Sequence, residues 1–249
     1  MLTGVLSLNA NVFAAGWLEK AVSVEFDTHY TLNVDANNPD SNNFAYGWNI
    51  GLKISVPTKG NIDYYAECSS KSVLPTHIVV YKSNNLNNKV MDLDAEPQYN
   101  SAYGTYSINH NFILNAGEYY ILLEIYDYRD DVRDGESDGS FDTIIGYKPS
   151  FSNTSISKVT AKKKAFNVKW KKASGVTGYE IQYSTKKNMK NAKKVKIKKA
   201  SSTSKTIKKL KAKKKYYVRI RTYKTVNINS KNKTYYGKWS GKKTVKTKK

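Results

Sequence analysis

The chain has 249 residues and a hydrophobic content of 39%, enough for two domains of ordinary size with cores of their own. Its formal net charge of +22 hides a split: residues 151–249 carry 33 of the 42 Lys and Arg and a single acid, Glu180, while residues 1–150 carry the other 19 acids. The lone cysteine, Cys68, excludes an intrachain disulfide and with it a disulfide-stapled scaffold, though not export.

The uncharged residues 2–15 end in Val12-Phe13-Ala14-Ala15, with small side chains where a signal peptidase reads. They resemble the apolar region and cleavage site of a secretory signal that lacks its basic start, so residues 1–16 are read as a truncated signal peptide. The alternative is an apolar first strand. The stretch is shorter than the roughly 20 apolar residues of a membrane span, and no later segment is long enough to serve as one.

From residue 17 onward helical periodicity is nearly absent. Apolar residues alternate, or fall in short runs between Gly, Asn, Ser and Pro clusters, as in an all-β protein. The pattern predicts strands over 22–34, 48–56, 62–68, 77–81, 103–114, 118–126 and 141–147. Residues 37–43 have turn composition. The run Phe112-Ile113-Leu114-Asn115-Ala116-Gly117-Glu118-Tyr119-Tyr120-Ile121 reads as a strand, a turn and a second strand. It resembles a hairpin of the bacterial prepeptidase C-terminal (PPC-like) domains, and the resemblance implies a non-catalytic jelly-roll sandwich of secreted proteins over 17–147.

Residues 128–140 form an acidic loop. Asp127, Asp130, Asp131, Asp134, Glu136, Asp138 and Asp142 crowd in and around it, and Ca²⁺ takes six to eight such oxygens. Asp130, Asp134, Glu136 and Asp138 are the candidate ligands. The spacing is not an EF-hand: counted from Asp130, Val132 stands third and Phe141 twelfth. Arg129 and Arg133 offset part of the charge, and a solvated acidic hairpin, or a loop facing the lysine-rich half, are the competing readings. Ca²⁺ is the one cofactor that the sequence suggests.

Residues 148–154 are read as a linker, and 155–249 as the second domain. Here Phe166, Val168 and Trp170 alternate with Asn167 and Lys169, Tyr179, Ile181 and Tyr183 with Glu180 and Gln182, and Tyr216, Val218 and Ile220 with Tyr217, Arg219 and Arg221. Each run puts apolar groups on one face and polar groups on the other, as a two-sheet sandwich requires. Trp170, Gly178-Tyr179-Glu180-Ile181, Leu210 with Tyr216 six residues later, and Gly237-Lys238-Trp239-Ser240 resemble a fibronectin type III domain, an immunoglobulin-like sandwich. That resemblance implies that Trp170 fills the core and that the Tyr216 hydroxyl bonds back to the backbone as a tyrosine corner. Residues 225–236 read as a long loop of the last hairpin. The fold class is therefore all-β, two β-sandwich domains in tandem.

The only Arg in the second half are Arg219 and Arg221. Lys is a point charge without the planar fork that reads bases or clamps phosphate, so the surface fits non-specific attraction to a polyanion. The densest clusters are Lys162, Lys163, Lys164, Lys186, Lys187, Lys211, Lys213, Lys214 and Lys215. An anionic cell-wall polymer or glycan is the leading partner, a solvated face that only confers solubility is close behind, and nucleic acid ranks last. Tyr64, Tyr65, Tyr99, Tyr103, Tyr106, Tyr235 and Tyr236 are candidates for exposed rings, although neighbours along a strand face opposite ways, so one of each adjacent pair belongs to a core. His29, His77 and His110 have no metal-ligand spacing, and no nucleophile or nucleotide motif is present. Together these features predict a non-catalytic, exported or cell-surface bacterial binding module whose first domain contacts a glycan or a protein. The alternatives are an accessory fragment of a secreted hydrolase and a structural spacer.

Overall fold

The computed structural model describes residues 6–8, 21–34, 47–69, 74–126 and 139–249. The chain divides into two compact units, residues 1–148 and 149–249. Among the described residues every regular element is a strand, and no helix is long and apolar enough to cross a membrane.

In the first unit one sheet has six strands. Its members are β1 (Leu6–Leu8), β3 (His29–Val34), β11 (Gly139–Pro149), β5 (Gly60–Cys68), β9 (Thr105–Leu114) and β8 (Gln98–Asn100), in that order across the sheet. The other sheet has five: β2 (Val22–Ser23), β4 (Gly47–Val56), β10 (Gly117–Tyr126), β6 (His77–Lys82) and β7 (Asn85–Asp94). Strict alternation along β5 sends Ile62, Tyr64 and Ala66 inward and Asn61, Asp63, Tyr65 and Glu67 outward. Ile50, Leu52, Ile54, Ile78, Ile121 and Leu123 of the five-stranded sheet are buried.

The structure revises several sequence expectations. Residues 22–34 are two strands, one in each sheet. The chain crosses between them at Asp27, in the left-handed region at φ 57, while Phe26 packs on Tyr147 with ring centroids 5.0 Å apart. The strands flanking Asn115-Ala116-Gly117 are not a hairpin: β9 pairs with β5 and β10 with β4 and β6, so the turn carries the chain from one sheet to the other. Strand β7 lacks a predicted counterpart because its side chains are mostly polar and exposed, as suits an edge. Leu6–Leu8 lie parallel to Tyr30–Leu32 as a strand. The other residues of the signal-like segment lie outside the described residues. So do residues 128–138 of the acidic loop with its candidate Ca²⁺ ligands, Asp130, Asp134, Glu136 and Asp138, while Gly139 and Ser140 open β11.

The second unit packs a three-stranded sheet, β12 (Ile156–Lys162), β13 (Ala165–Trp170) and β16 (Ser204–Ile207), on a five-stranded one. The latter is β15 (Lys193–Ile197), β14 (Gly178–Ser184), β17 (Lys215–Ile228) and β18 (Lys231–Tyr236), with β19 (Lys243–Lys246) also on β17. Phe166, Val168, Trp170, Tyr179, Ile181, Val218 and Ile220 form one buried cluster, the inward set that alternation predicts. Residues 225–236 are not a loop. Alternation continues to Ile228, and Asn229 and Ser230, at φ 50 and 59, make a two-residue turn whose left-handed backbone matches strand twist.

Candidate functional site

Three turns of the second sandwich close at one end of it. They are the β12–β13 turn with Lys162–Lys164, the β14–β15 loop, and the loop from β16 to β17. The core is capped there by an aromatic cluster: Phe166 lies 5.8 Å from both Tyr183 and Tyr216, and those two rings lie 6.2 Å apart. Above the two tyrosines opens a cleft of about 490 Å³, edged by Lys186, Lys190, Lys193, Lys209, Lys211 and Lys214. Its size is that of a site for a ligand segment of several heavy-atom groups.

Backbone hydrogen bonds tie the parts together. Leu210, in the cleft wall, donates its N–H to the Lys164 carbonyl at 2.9 Å. Lys164 donates in turn to Lys248, and Lys248 to Lys162. The buried Thr247 hydroxyl donates to the Lys211 carbonyl at 2.6 Å and accepts from the Lys214 N–H at 3.0 Å, fixing that loop against the last strand. The Lys211 N–H bonds the Tyr216 hydroxyl at 3.2 Å, which is the tyrosine-corner contact that the sequence implied. Ser184 holds the facing loop by accepting from the Lys186 N–H and donating to the Lys190 carbonyl. The lysine stems thus rise from a fixed frame.

Of the predicted lysines, Lys186, Lys211 and Lys214 edge the cleft. Lys162–Lys164 sit on the hydrogen-bonded turn beside it, Lys187 and Lys213 belong to the two loops and Lys215 opens β17, none of these three lining the hollow. Lys190, Lys193 and Lys209 were missed. They fall just outside the densest runs, and only the rule that alternate turns of an antiparallel sandwich open at the same end could have gathered them. The six cleft lysines are exposed. Three lysines of this end, Lys164, Lys209 and Lys213, have left-handed backbone at φ 43, 57 and 51, which costs a side-chain-bearing residue about 1–2 kcal/mol.

No carboxylate from this domain opposes them. Its single acid, Glu180, is 7% exposed and occupied by Arg221. The two arginines stand on another part of the domain, in a stack along the outward side of β14 and β17. Lys196 lies 4.4 Å from the Tyr223 ring centre and 5.8 Å from that of Tyr236; Arg221 lies 3.9 Å from Tyr236 and 4.3 Å from Trp239; Arg219 lies 4.5 Å from Trp239. This cover buries Glu180 and Gln182, which alternation alone would leave in solvent. Burial, followed by the adjacent Arg221 charge, pulls the Arg219 guanidinium below its ordinary value.

In the first domain Tyr64 is buried at 0% exposure, and burial pushes its phenol well up. Its neighbour Tyr65 faces outward and donates to Glu67. Tyr99 and Tyr103 are 60% and 79% exposed, and Tyr99 stacks on Tyr106 at 4.9 Å. In the second domain Tyr236 is exposed and Tyr235 half-buried. His29, Tyr65, Glu67, Thr105 and Asp142 edge a hollow of about 360 Å³ on the first domain. Both ring nitrogens of His77 face carboxylates, Nδ1 on Glu124 at 2.5 Å and Nε2 on Asp92. Among the described residues no group of three His, Cys, Asp or Glu is arranged to hold a metal ion.

The second unit has the architecture of the immunoglobulin-like sandwiches. Within that class, residues 148–238 match the family model of the fibronectin type III domain, and this part of the chain is a domain of that family. No curated protein sequence matches the chain. Among solved structures, similar ones include the pre-peptidase C-terminal domain of a collagenase from Bacillus anthracis, at 16% identity and a TM-score of 0.34 over 50% of this chain and 93% of that one. Also similar are the fibronectin type III domain of human contactin 1 (16% identity, TM-score 0.32, 40% of this chain and 82% of that one) and a fibronectin type III-like protein from Clostridium thermocellum (20%, 0.26, 41% and 95%).

Proposed function

We propose that the protein is a non-catalytic, exported binding module whose fibronectin type III domain holds an anionic polymer of the cell envelope. The observation that carries this is the cleft ringed by six lysines in a domain whose one carboxylate is already paired. Unbalanced charge repels itself and destabilises a compact fold, and a polyanion relieves that repulsion while releasing its own counterions. The absence of Arg from the cleft favours recognition of charge density over a fixed phosphate geometry. Nucleic acid fits less well. Tyr183 and Tyr216 are buried under the cleft, so they offer no free ring face on which bases could stack.

Fibronectin type III domains are typical parts of extracellular proteins, which agrees with export. For the first sandwich, the exposed rings of Tyr99 and Tyr103 support contact with a glycan or a protein.

The test is sedimentation of the full chain with Gram-positive cell walls before and after extraction of their anionic polymer. Binding should follow the polymer. Six contacts at roughly 0.7 each predict a log–log salt slope of about −4. Equal binding to stripped walls, or a flat salt response, rejects the proposal.

A further inference from the structure

We infer that Lys164, Lys209 and Lys213 are ligand-binding residues kept against the preference of their own backbone, and that the ligand is a linear polyanion long enough to lie in the cleft and cross onto the β12–β13 turn. This deepens the function proposed above and rests on it. All three residues have φ between 43 and 57. Gly adopts that conformation freely and Asn tolerates it, so a sequence shaped by stability alone would place one of them there. The same chain does so at Asn191 and Asn229, with φ of 54 and 50; of the other left-handed positions in this domain, Met189, at φ 62, is buried, and Ser230, at φ 59, lies in the β17–β18 turn. Strained backbone that persists in a surface turn points to the side chain it carries.

The three positions also trace a path. Lys209 edges the cleft; Lys213, which does not, sits in the same loop next to Lys214, whose carbonyl accepts from the N–H of Thr247, the neighbour of Lys248. Lys164 is reached through the Leu210 to Lys164 hydrogen bond, with Lys162 at the end of β12 and Lys163 bridged to Lys248 beside it. An isolated anion needs only the cleft. A chain with a charge on every repeat gains the turn as well, since the second set of contacts is made intramolecularly.

The experiment uses the full chain, with orthophosphate, tripolyphosphate and long-chain polyphosphate as probes. Lys164→Asn, Lys209→Asn and Lys213→Asn are measured singly and together, with Lys171→Asn, an exposed lysine elsewhere in the domain, as the control. Each of the three should leave the melting temperature unchanged or raised. Each should also weaken long-chain binding several-fold, by about threefold to tenfold at low salt, while Lys171→Asn changes little. Lys164→Asn should spare tripolyphosphate. A structural role would lower the melting temperature instead. Unchanged affinity for the long chain in the triple variant, or orthophosphate competing as well as the long chain, overturns the inference and leaves polyanion binding standing. If the unaltered protein binds none of the probes, the parent proposal fails.

Discussion

Glu180 and Arg221 face each other across the β14–β17 ladder, with Arg221 Nη2 at 2.9 Å and Nε at 3.2 Å from the same Glu180 oxygen. The guanidinium is also held between the rings of Tyr236 and Trp239. Removing Arg221 leaves the Glu180 carboxylate buried without its partner, which typically costs 3–5 kcal/mol. Arg221→Met is therefore expected to destabilise the second domain by about 3 kcal/mol, and Glu180→Gln, which keeps an acceptor for the partly exposed Arg221, by less. Calorimetry of the full chain resolves this if only one of the unfolding transitions moves. A shift within error in both variants would show that the ring stack, and not the ion pair, holds the strands.

Tyr216 serves the fold and the cleft together. Its ring closes the core beside Phe166, and its hydroxyl receives the Lys211 N–H. Tyr216→Phe keeps the ring and deletes the acceptor, at a cost of about 1 kcal/mol. Because Lys211 heads the loop that edges the cleft, affinity for long-chain polyphosphate should fall as well. Loss of stability with unchanged affinity would show that the loop keeps its place without the bond.

The second domain was legible because alternation and spacing carry its chemistry. Trp170, Tyr179 and Ile181 could be placed inside from the period alone, and the six-residue step from Leu210 to Tyr216 foretold a bond that is present. The outward row of β14 was not legible. Glu180 and Gln182 fall on the solvent phase, yet residues far away in sequence, Arg221, Tyr236 and Trp239 among them, cover them, and no local pattern encodes that. The cleft was half visible. Clusters of lysine mark loops, but Lys190 and Lys193 join Lys209 only because the β14–β15 hairpin and the β16–β17 crossover between sheets open at the same end. In the first domain a turn between two apolar runs looks the same in sequence whether the runs pair or part, and at Asn115-Ala116-Gly117 they part.

Tyr65 has a pH signature. The hydrogen bond it donates to Glu67, ahead of desolvation and the Glu67 charge, pushes its phenol up to about 12. The folded value is raised above the unfolded value of about 10. Its contribution to stability is therefore fully present below pH 10 and is lost as pH rises through about 12. Glu67→Gln removes the charge that holds the proton, so the Tyr65 ionisation should return toward 10. Carbon-labelled tyrosine followed by nuclear magnetic resonance, assigned with Tyr65→Phe, reads this directly. An unmoved midpoint in Glu67→Gln would mean that the bond to Glu67 is not what retains the proton.

Gly178 opens β14 opposite Tyr223, and the space beside it is already filled. A methyl group there would stand 2.1 Å from the Ile197 carbonyl oxygen and 2.8 Å from the Tyr223 hydroxyl. The carbonyl belongs to β15, which pairs with β14 through this same end, Tyr179 against Ile197. Tyr223 is itself pinned beneath Lys196. Neither neighbour can yield without parting two strands or breaking the stack, so Gly178→Ala should reach the upper end of overpacking costs, about 3 kcal/mol. For a domain of this size that lowers the transition by roughly 12 °C or more. Gly241→Ala is the matched control, since a methyl group there meets nothing within 4 Å. If both alanine variants melt alike, β15 is free to shift, and the strand that carries Lys193 into the cleft is less firmly fixed than its register implies.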